Sequence, residues 1–302
     1  MYDIIIVGAG TAGMSAAIYG LRAGKKVLML EGKSYGGQII NTPEVENYPG
    51  IKKVSGFEFA TNLFKQATDL GAEIVYEKVV QIKDNDKTKV VITDNKEYET
   101  KTVIIATGAK NRPLGLDREE QLIGAGVSYC ATCDGMFFRG KDVAIVGGGN
   151  TALEDALFLS NFCDKIYVIH RRDSFRGEDR LATALKEKEN VIFVLDSIVV
   201  ELLGENMVSG ISVKNVKDDR VTDIDVSGVF IAIGQEPDNQ AFSDLIQLDE
   251  KGYVRAGEDC VTNVEGIFTA GDCRTKTVRQ LTTAASDGAV AALAACEYMI
   301  ED

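Results

Sequence analysis

The sequence predicts an α/β protein built of two three-layer domains, the second inserted into the first. Three observations carry that prediction. A unit of strand, glycine loop, helix and strand opens the chain at Tyr2 and recurs at Asp142. From the first glycine of each loop to the residue that ends the second strand is 23 positions in both copies, Gly8 to Glu31 and Gly147 to His170. The chain of 302 residues is also longer than a single hydrophobic core usually spans.

In the first unit, residues 2–7 are an apolar run, interrupted only by Asp3, suited to a buried parallel strand. Gly8-Ala9-Gly10-Thr11-Ala12-Gly13 follows, then a helical stretch to about Ala23 that Gly24 can cap. The strand Val27–Leu30 ends at Glu31. Asp84–Lys87 and Thr93–Lys96 read as polar turns between strands. The apolar run from Thr102 to Ile105 closes on Ala106-Thr107-Gly108. In the second unit, a strand at 142–146 leads into Gly147-Gly148-Gly149-Asn150-Thr151-Ala152, a helix to about Phe162 and a strand at 166–169. Gly228 to Gly234 repeats the strand-to-glycine pattern. The tail carries a strand, the turn Gly271-Asp272 and a long Ala-rich helix. These elements predict one discontinuous domain at 1–110 and 235–302 and an inserted domain at 111–234, joined by linkers near 110–115 and 232–238.

A glycine loop between strand and helix lets backbone approach a pyrophosphate, and the helix N-terminus supplies free N–H groups. Two such loops predict two Rossmann-like dinucleotide sites. The residue ending the second strand separates them. Glu31 can accept hydrogen bonds from ribose hydroxyls and would repel a 2′-phosphate, which suits FAD or NAD. His170-Arg171-Arg172 with Arg176 would welcome a 2′-phosphate through charge-assisted bonds, which suits NADPH. The NADPH contacts expected are Gly147, Gly149, Asn150, Thr151, Ala152, His170, Arg171, Arg172 and Arg176.

Cys130-Ala131-Thr132-Cys133-Asp134 lies between the two loops, in the inserted domain. Two thiols three positions apart at a helix start can close a short disulfide, and a helix N-terminus lowers a thiol pKa. A zinc site would need two further ligands. Cys163, Cys260, Cys273 and Cys296 have no paired spacing, so no metal is expected and they read as buried apolar residues. With the single histidine, His170, assigned to the nucleotide pocket, Asp134 is the nearest candidate acid for proton transfer. A helix-capping role is its plainer alternative.

The net charge of −13 argues against nucleic acid and anionic membrane as partners. No apolar run has bilayer-spanning length. Met1-Tyr2-Asp3 has neither a basic start nor a cleavage site, so a cytoplasmic setting is expected.

Along nearly its whole length the chain resembles the low-molecular-weight thioredoxin reductases of bacteria. The matching pieces are the glycine loops, Gly36-Gly37-Gln38, Glu46-Asn47-Tyr48-Pro49-Gly50, Ala106-Thr107-Gly108, Cys130-Ala-Thr-Cys133-Asp134-Gly135, His170-Arg-Arg-x-x-x-Arg176, and Gly271-Asp272 with Arg279-Gln280. The resemblance implies a homodimer that reduces thioredoxin with electrons from NADPH, and a rotation between two domain arrangements. It implies FAD contacts from Gly8, Gly10, Gly13, Glu31, Gly36, Gly37, Gln38, Asn47, Ala106, Thr107, Gly108, Gly271, Asp272, Arg279, Gln280 and Leu281. It also implies that Cys133 faces the flavin, Cys130 attacks the partner disulfide, and Asp134 is the acid/base. Relatives fed by ferredoxin tend to lose the second glycine loop or the arginines, and both are present here. A glutaredoxin-like carrier or peroxiredoxin system stays open as the acceptor. Thr151, where Ser is common, and the linker Gln235–Asn239 depart from the family pattern.

Overall fold

The computed structural model describes residues 1–42 and 44–301. The chain forms two compact units, Met1–Lys110 with Glu236–Asp302, and Asn111–Gln235.

The first unit is built on a seven-stranded sheet of β1 (Tyr2–Val7), β2 (Val27–Leu30), β3 (Glu73–Val75), β4 (Val79–Asn85), β5 (Thr88–Thr93), β6 (Glu97–Ile105) and β17 (Ile267–Thr269). Its parallel part runs β3-β2-β1-β6-β17, and β4-β5-β6 form an antiparallel meander. Strand β6 serves both parts because its sequence changes character. Glu97 to Thr100 alternates exposed and buried and pairs with β5, whereas Thr102–Ile105 is buried throughout and pairs with β1 and β17. Only this apolar second half is evident from the run of hydrophobic residues.

Helices α1 (Thr11–Arg22) and α6 (Leu281–Glu301) pack together against one face of the sheet. They approach closely at small residues: a Cβ on Gly288 would lie 2.2 Å from the Ala12 carbonyl oxygen. Helix α2 (Gly56–Asp69) joins them, started by Ser55, whose Oγ accepts the Glu58 N–H at 3.1 Å. Segments around Phe242, Ile246 and Val254 cover the other face.

The second unit repeats the plan. A parallel sheet runs in the order β11-β10-β9-β15-β8, from β8 (Val127–Ser128), β9 (Val143–Val146), β10 (Ile166–Ile169), β11 (Val191–Val194) and β15 (Gly228–Ile231). An antiparallel sheet of β12 (Ser197–Leu203), β13 (Gly210–Asn215) and β14 (Val221–Ile224) covers one face. On the other lie α3 (Ala131–Asp134), α4 (Asn150–Leu159) and α5 (Asp179–Lys186). The segments running between the units, β7 (Ala109–Asn111) and β16 (Gln235–Pro237), pair as a two-stranded sheet.

Helix α4 stops at Leu159, short of the expected Phe162. There the Ser160 hydroxyl and the Asn161 amide turn back onto the carbonyls of Leu157 and Phe158, offering the chain an alternative to the next helical bonds. No helix among the described residues is long and apolar enough to cross a membrane.

Candidate active site

Both glycine loops sit where the strand order reverses, β1 and β9 each lying between a neighbour reached through the next helix and one reached later. They are fixed by the same backbone bonds. Gly8 N–H donates to Leu30 O and Ala106 N–H to Val7 O, both at 2.8 Å. Gly147 N–H donates to Ile169 O at 3.1 Å and Ala232 N–H to Val146 O at 2.8 Å. The duplication seen as equal spacing is thus a duplication of hydrogen bonds.

The glycines of a loop are there for different reasons. Gly8 has φ 106°, and a Cβ on it would lie 2.4 Å from Ala106 O; one on Gly13 would lie 1.9 Å from Gly8 O. Those two are required by the protein itself. Gly10 has φ −80°, and a Cβ there would meet nothing within 4 Å. In the second loop Gly147 would strike Ala232 O at 2.4 Å, while Gly149 has φ −97° and also faces open space. A glycine demanded by neither backbone nor neighbours fits a ligand that comes close to the main chain, as a pyrophosphate does. Ala152 takes the place of the third glycine and is buried in the first turn of α4.

The residues ending β2 and β10 both fold back beneath their loops. Glu31 accepts the Ala9 N–H at 2.8 Å and the Lys33 N–H at 2.9 Å. His170 is 5% exposed, and its ring fills the space a Cβ on Gly148 would need, 2.2 Å away. Its Nε2 bonds Ser174 O at 3.1 Å and its ring stacks on Phe175. Burial first, and the nearby arginines second, lower its pKa. The imidazole therefore supports the loop from below, and the arginines around it face outward.

Arg171, Arg172 and Arg176 are exposed. None forms an ion pair among the described residues, whereas neighbouring Arg180 is held by Glu178 at 2.5 Å. The segment is tied to the glycine loop, since Arg176 N–H donates to Gly148 O at 2.7 Å and the Asn150 side chain exchanges two hydrogen bonds with Glu178. Three unneutralised guanidiniums beside an open glycine loop could hold a second anion next to a pyrophosphate. Thr151 follows Asn150 in the first turn of α4 and is exposed.

In the first unit, Gly36 and Gly37 have φ 101° and 65°, and Gly36 N–H reaches Ala9 O at 2.8 Å, which brings Gln38 beside the loop. Thr107 Oγ1 donates to the fully buried Asn239 at 2.8 Å, while Gly108 turns with φ 69°. Asn47 donates to Gln280 Oε1 at 3.2 Å, immediately before α6 begins at Leu281. Arg279 lies 4.3 Å above the Tyr253 ring. Asp272, after Gly271, has a buried Oδ1 without a partner among the described residues, and burial raises its pKa. A buried oxygen left this way fits a hydroxyl donor of the ribityl type.

A supporting ion cluster escaped the sequence reading. Asp287 accepts Gly271 N–H at 2.9 Å, Arg274 through both oxygens at 2.8 and 2.9 Å, and Lys276 at 2.8 Å. Arg274 is 1% exposed. A signal was present: Asp287 is the one charge between Leu281 and Cys296 in an otherwise small and apolar helix.

Cys130 and Cys133 form a disulfide, with Cα atoms 5.3 Å apart. The helix expected there is a single turn, Ala131–Asp134, which passes into a tighter turn at Gly135–Phe138. A full helix dipole is therefore not available to lower a thiol pKa. The Cys130 carbonyl accepts the N–H groups of Cys133 and Asp134. Asp134 Oδ2 accepts the Ser128 hydroxyl at 2.6 Å, while Oδ1 is buried without a partner. Burial raises the Asp134 pKa and the Ser128 hydrogen bond opposes it. Tyr129, next to Cys130, donates at 2.6 Å to Glu119, which also caps the N–H groups of Leu114, Gly115 and Leu116. The other four cysteines are free and buried; burial pushes the Cys163 thiol up to about 11 and that of Cys260 up to about 12.

Residues 2–288 match the family described as pyridine nucleotide-disulphide oxidoreductase. The chain is 42% identical over 298 residues to the 34.2 kDa protein in the rubredoxin operon of Clostridium pasteurianum, covering 98% of this chain and 97% of that one. It is 41% identical over 302 residues to the thioredoxin reductase of Bacillus subtilis, covering 100% and 96%. It is also similar to the crystal structure of thioredoxin reductase from Streptococcus pyogenes, with a TM-score of 0.96, 42% identity, and 100% and 99% of the two chains covered.

Proposed function

The chain belongs to the pyridine nucleotide-disulphide oxidoreductases, and from that premise we propose that it is a thioredoxin-disulfide reductase working from NADPH through FAD and the Cys130/Cys133 pair. One observation carries the reading: a two-residue-spaced disulfide in a unit that also presents an open glycine loop and three unpaired arginines. The donor set of the first unit fits FAD, with Gly10 open to a pyrophosphate and Asp272 Oδ1 awaiting a hydroxyl. When bound, FAD accepts a hydride from NADPH and passes two electrons on.

Arg171, Arg172 and Arg176 hold the 2′-phosphate of NADPH, and Gly149 admits its pyrophosphate. Glu31, which holds the Ala9 and Lys33 N–H groups, has lone pairs left to accept from a ribose hydroxyl. Cys133 receives the electrons as the sulfur–sulfur bond breaks, and Asp134 supplies a proton to the thiolate that forms at Cys130. Cys130 then returns that proton to Asp134 and, as the thiolate, attacks the thioredoxin disulfide to form a mixed disulfide. Cys133 thiolate attacks that bond, restores the Cys130–Cys133 disulfide and releases thioredoxin as a dithiol. The active form is a homodimer. The setting is cytoplasmic, consistent with four cysteines kept as free thiols.

Replacing Cys130 by Ser while Cys133 is kept tests the thiol assignment. Thioredoxin turnover is expected to vanish while NADPH still bleaches the flavin. Normal turnover in that variant would overturn the assignment.

A further inference from the structure

Ser128 ends the strand that delivers the redox pair and is itself 3% exposed. Its hydroxyl lies 2.6 Å from Asp134 Oδ2, 3.1 Å from the Cys130 backbone nitrogen and 3.3 Å from the Cys130 carbonyl. A hydroxyl has one proton and two lone pairs. The shortest contact is to the carboxylate, so the proton goes there, and a lone pair takes the Cys130 N–H. One small buried group thus holds the backbone of one cysteine and the carboxyl group that follows the other. The second carboxyl oxygen, Oδ1, is left buried and unpartnered.

We propose that Ser128 is a positioning residue for proton transfer at the disulfide, fixing Asp134 so that Oδ1 is the oxygen that carries the exchanged proton. This rests on the role given to Asp134 above. Two electrons and two protons convert the disulfide to two thiols. As the sulfur–sulfur bond breaks, Cys130 leaves as a thiolate and takes the proton from Oδ1; the two electrons and the second proton would be supplied by the flavin when bound and reduced. The carboxylate left behind keeps the Ser128 hydrogen bond. When Cys130 later gives up its proton to attack a partner disulfide, the proton returns to Oδ1.

The surroundings leave Ser128 as the one polar influence. Helix α3 packs against the Gly135–Phe138 turn and α4. The charges on these are Glu154 and Asp155, with Arg139 just beyond the turn. Neither they nor any other charge shifts Asp134: burial raises its pKa and Ser128 alone lowers it. Removing the hydroxyl therefore lets Asp134 hold its proton to higher pH.

The test compares Ser128→Ala, Ser128→Thr, Asp134→Asn and Ser128→Ala/Asp134→Asn in the FAD-loaded protein, by thioredoxin reduction across pH and by anaerobic flavin bleaching with NADPH. Ser128→Ala is expected to keep the bleaching step, lose thioredoxin reduction on the order of tenfold and move the Asp134 limb of the pH profile upward. Ser128→Thr is expected to restore both rate and limb. The double variant is expected to be no slower than Asp134→Asn alone. If Asp134→Asn is impaired but Ser128→Ala keeps its rate and pH profile, the positioning role is overturned. It is equally overturned if Ser128→Ala is slow with an unmoved limb and its loss adds to that of Asp134→Asn. If Asp134→Asn itself turns over normally, the acid role fails and the proposal falls with it.

Discussion

Single residues divide here into those the fold needs and those a ligand needs, and the division can be measured. A Cβ on Gly13 has no room, 1.9 Å from a backbone oxygen, whereas one on Gly10 meets nothing. Gly13→Ala is expected to destabilise the protein by about 3 kcal/mol. Gly10→Ala is expected to keep the melting temperature of the FAD-free protein while the purified protein carries less FAD. Thermal unfolding beside flavin content checks both, and a Gly10→Ala variant that retains full flavin would contradict the ligand argument. The arginines give a second test. Each charge-assisted bond to a 2′-phosphate is worth roughly 1.5–3 kcal/mol, so replacing Arg171, Arg172 or Arg176 by Gln should raise KM for NADPH roughly 10- to 100-fold. KM for NADH should barely move. That these arginines stand exposed beside the second loop was legible from their place at a strand end. The direction of His170 was not, because it depends on a glycine, Gly148, leaving room for the ring beneath the loop.

At the scale of elements, the repeated strand–loop–helix unit was legible because its requirements are local: a buried strand, a glycine turn and a helix start. Strand β6 was half legible, since its alternating first part resembles any exposed polar stretch until β5 pairs with it. The Asp287 cluster was hidden for a similar reason, because it joins α6 to the turn before it through packing that no spacing encodes. Burial acts to raise the Asp287 pKa, but hydrogen bonds from Arg274 and Lys276 outweigh it and leave the pKa lowered. A carboxylate with a lowered folded pKa stabilises above its unfolded value, near 4, and that contribution is lost as pH falls through the folded value. Asp287→Ala leaves Lys276 without its counter-charge and Arg274 with only the exposed Glu258, 3.3 Å away, and is expected to cost about 3–5 kcal/mol at neutral pH. The gap in stability between wild type and variant should narrow below about pH 4. A gap independent of pH would show that the charge is not what matters.

For the whole molecule, two units of one plan differ at the matching strand end, Glu31 in one and His170 with its arginines in the other, and the disulfide belongs to the unit with the arginines. On the proposed route, electrons enter from NADPH, pass through bound flavin and leave through Cys130 and Cys133 to thioredoxin. One measurement tests it most directly: thioredoxin reduction driven by NADPH or by NADH, with the flavin spectrum followed in the same anaerobic sample. NADPH is expected to bleach the flavin, oxidised thioredoxin to restore its colour with the appearance of thioredoxin thiols, and NADH to bleach it only weakly. A flavin left oxidised by NADPH, or one bleached by NADPH but not restored by thioredoxin, would contradict it.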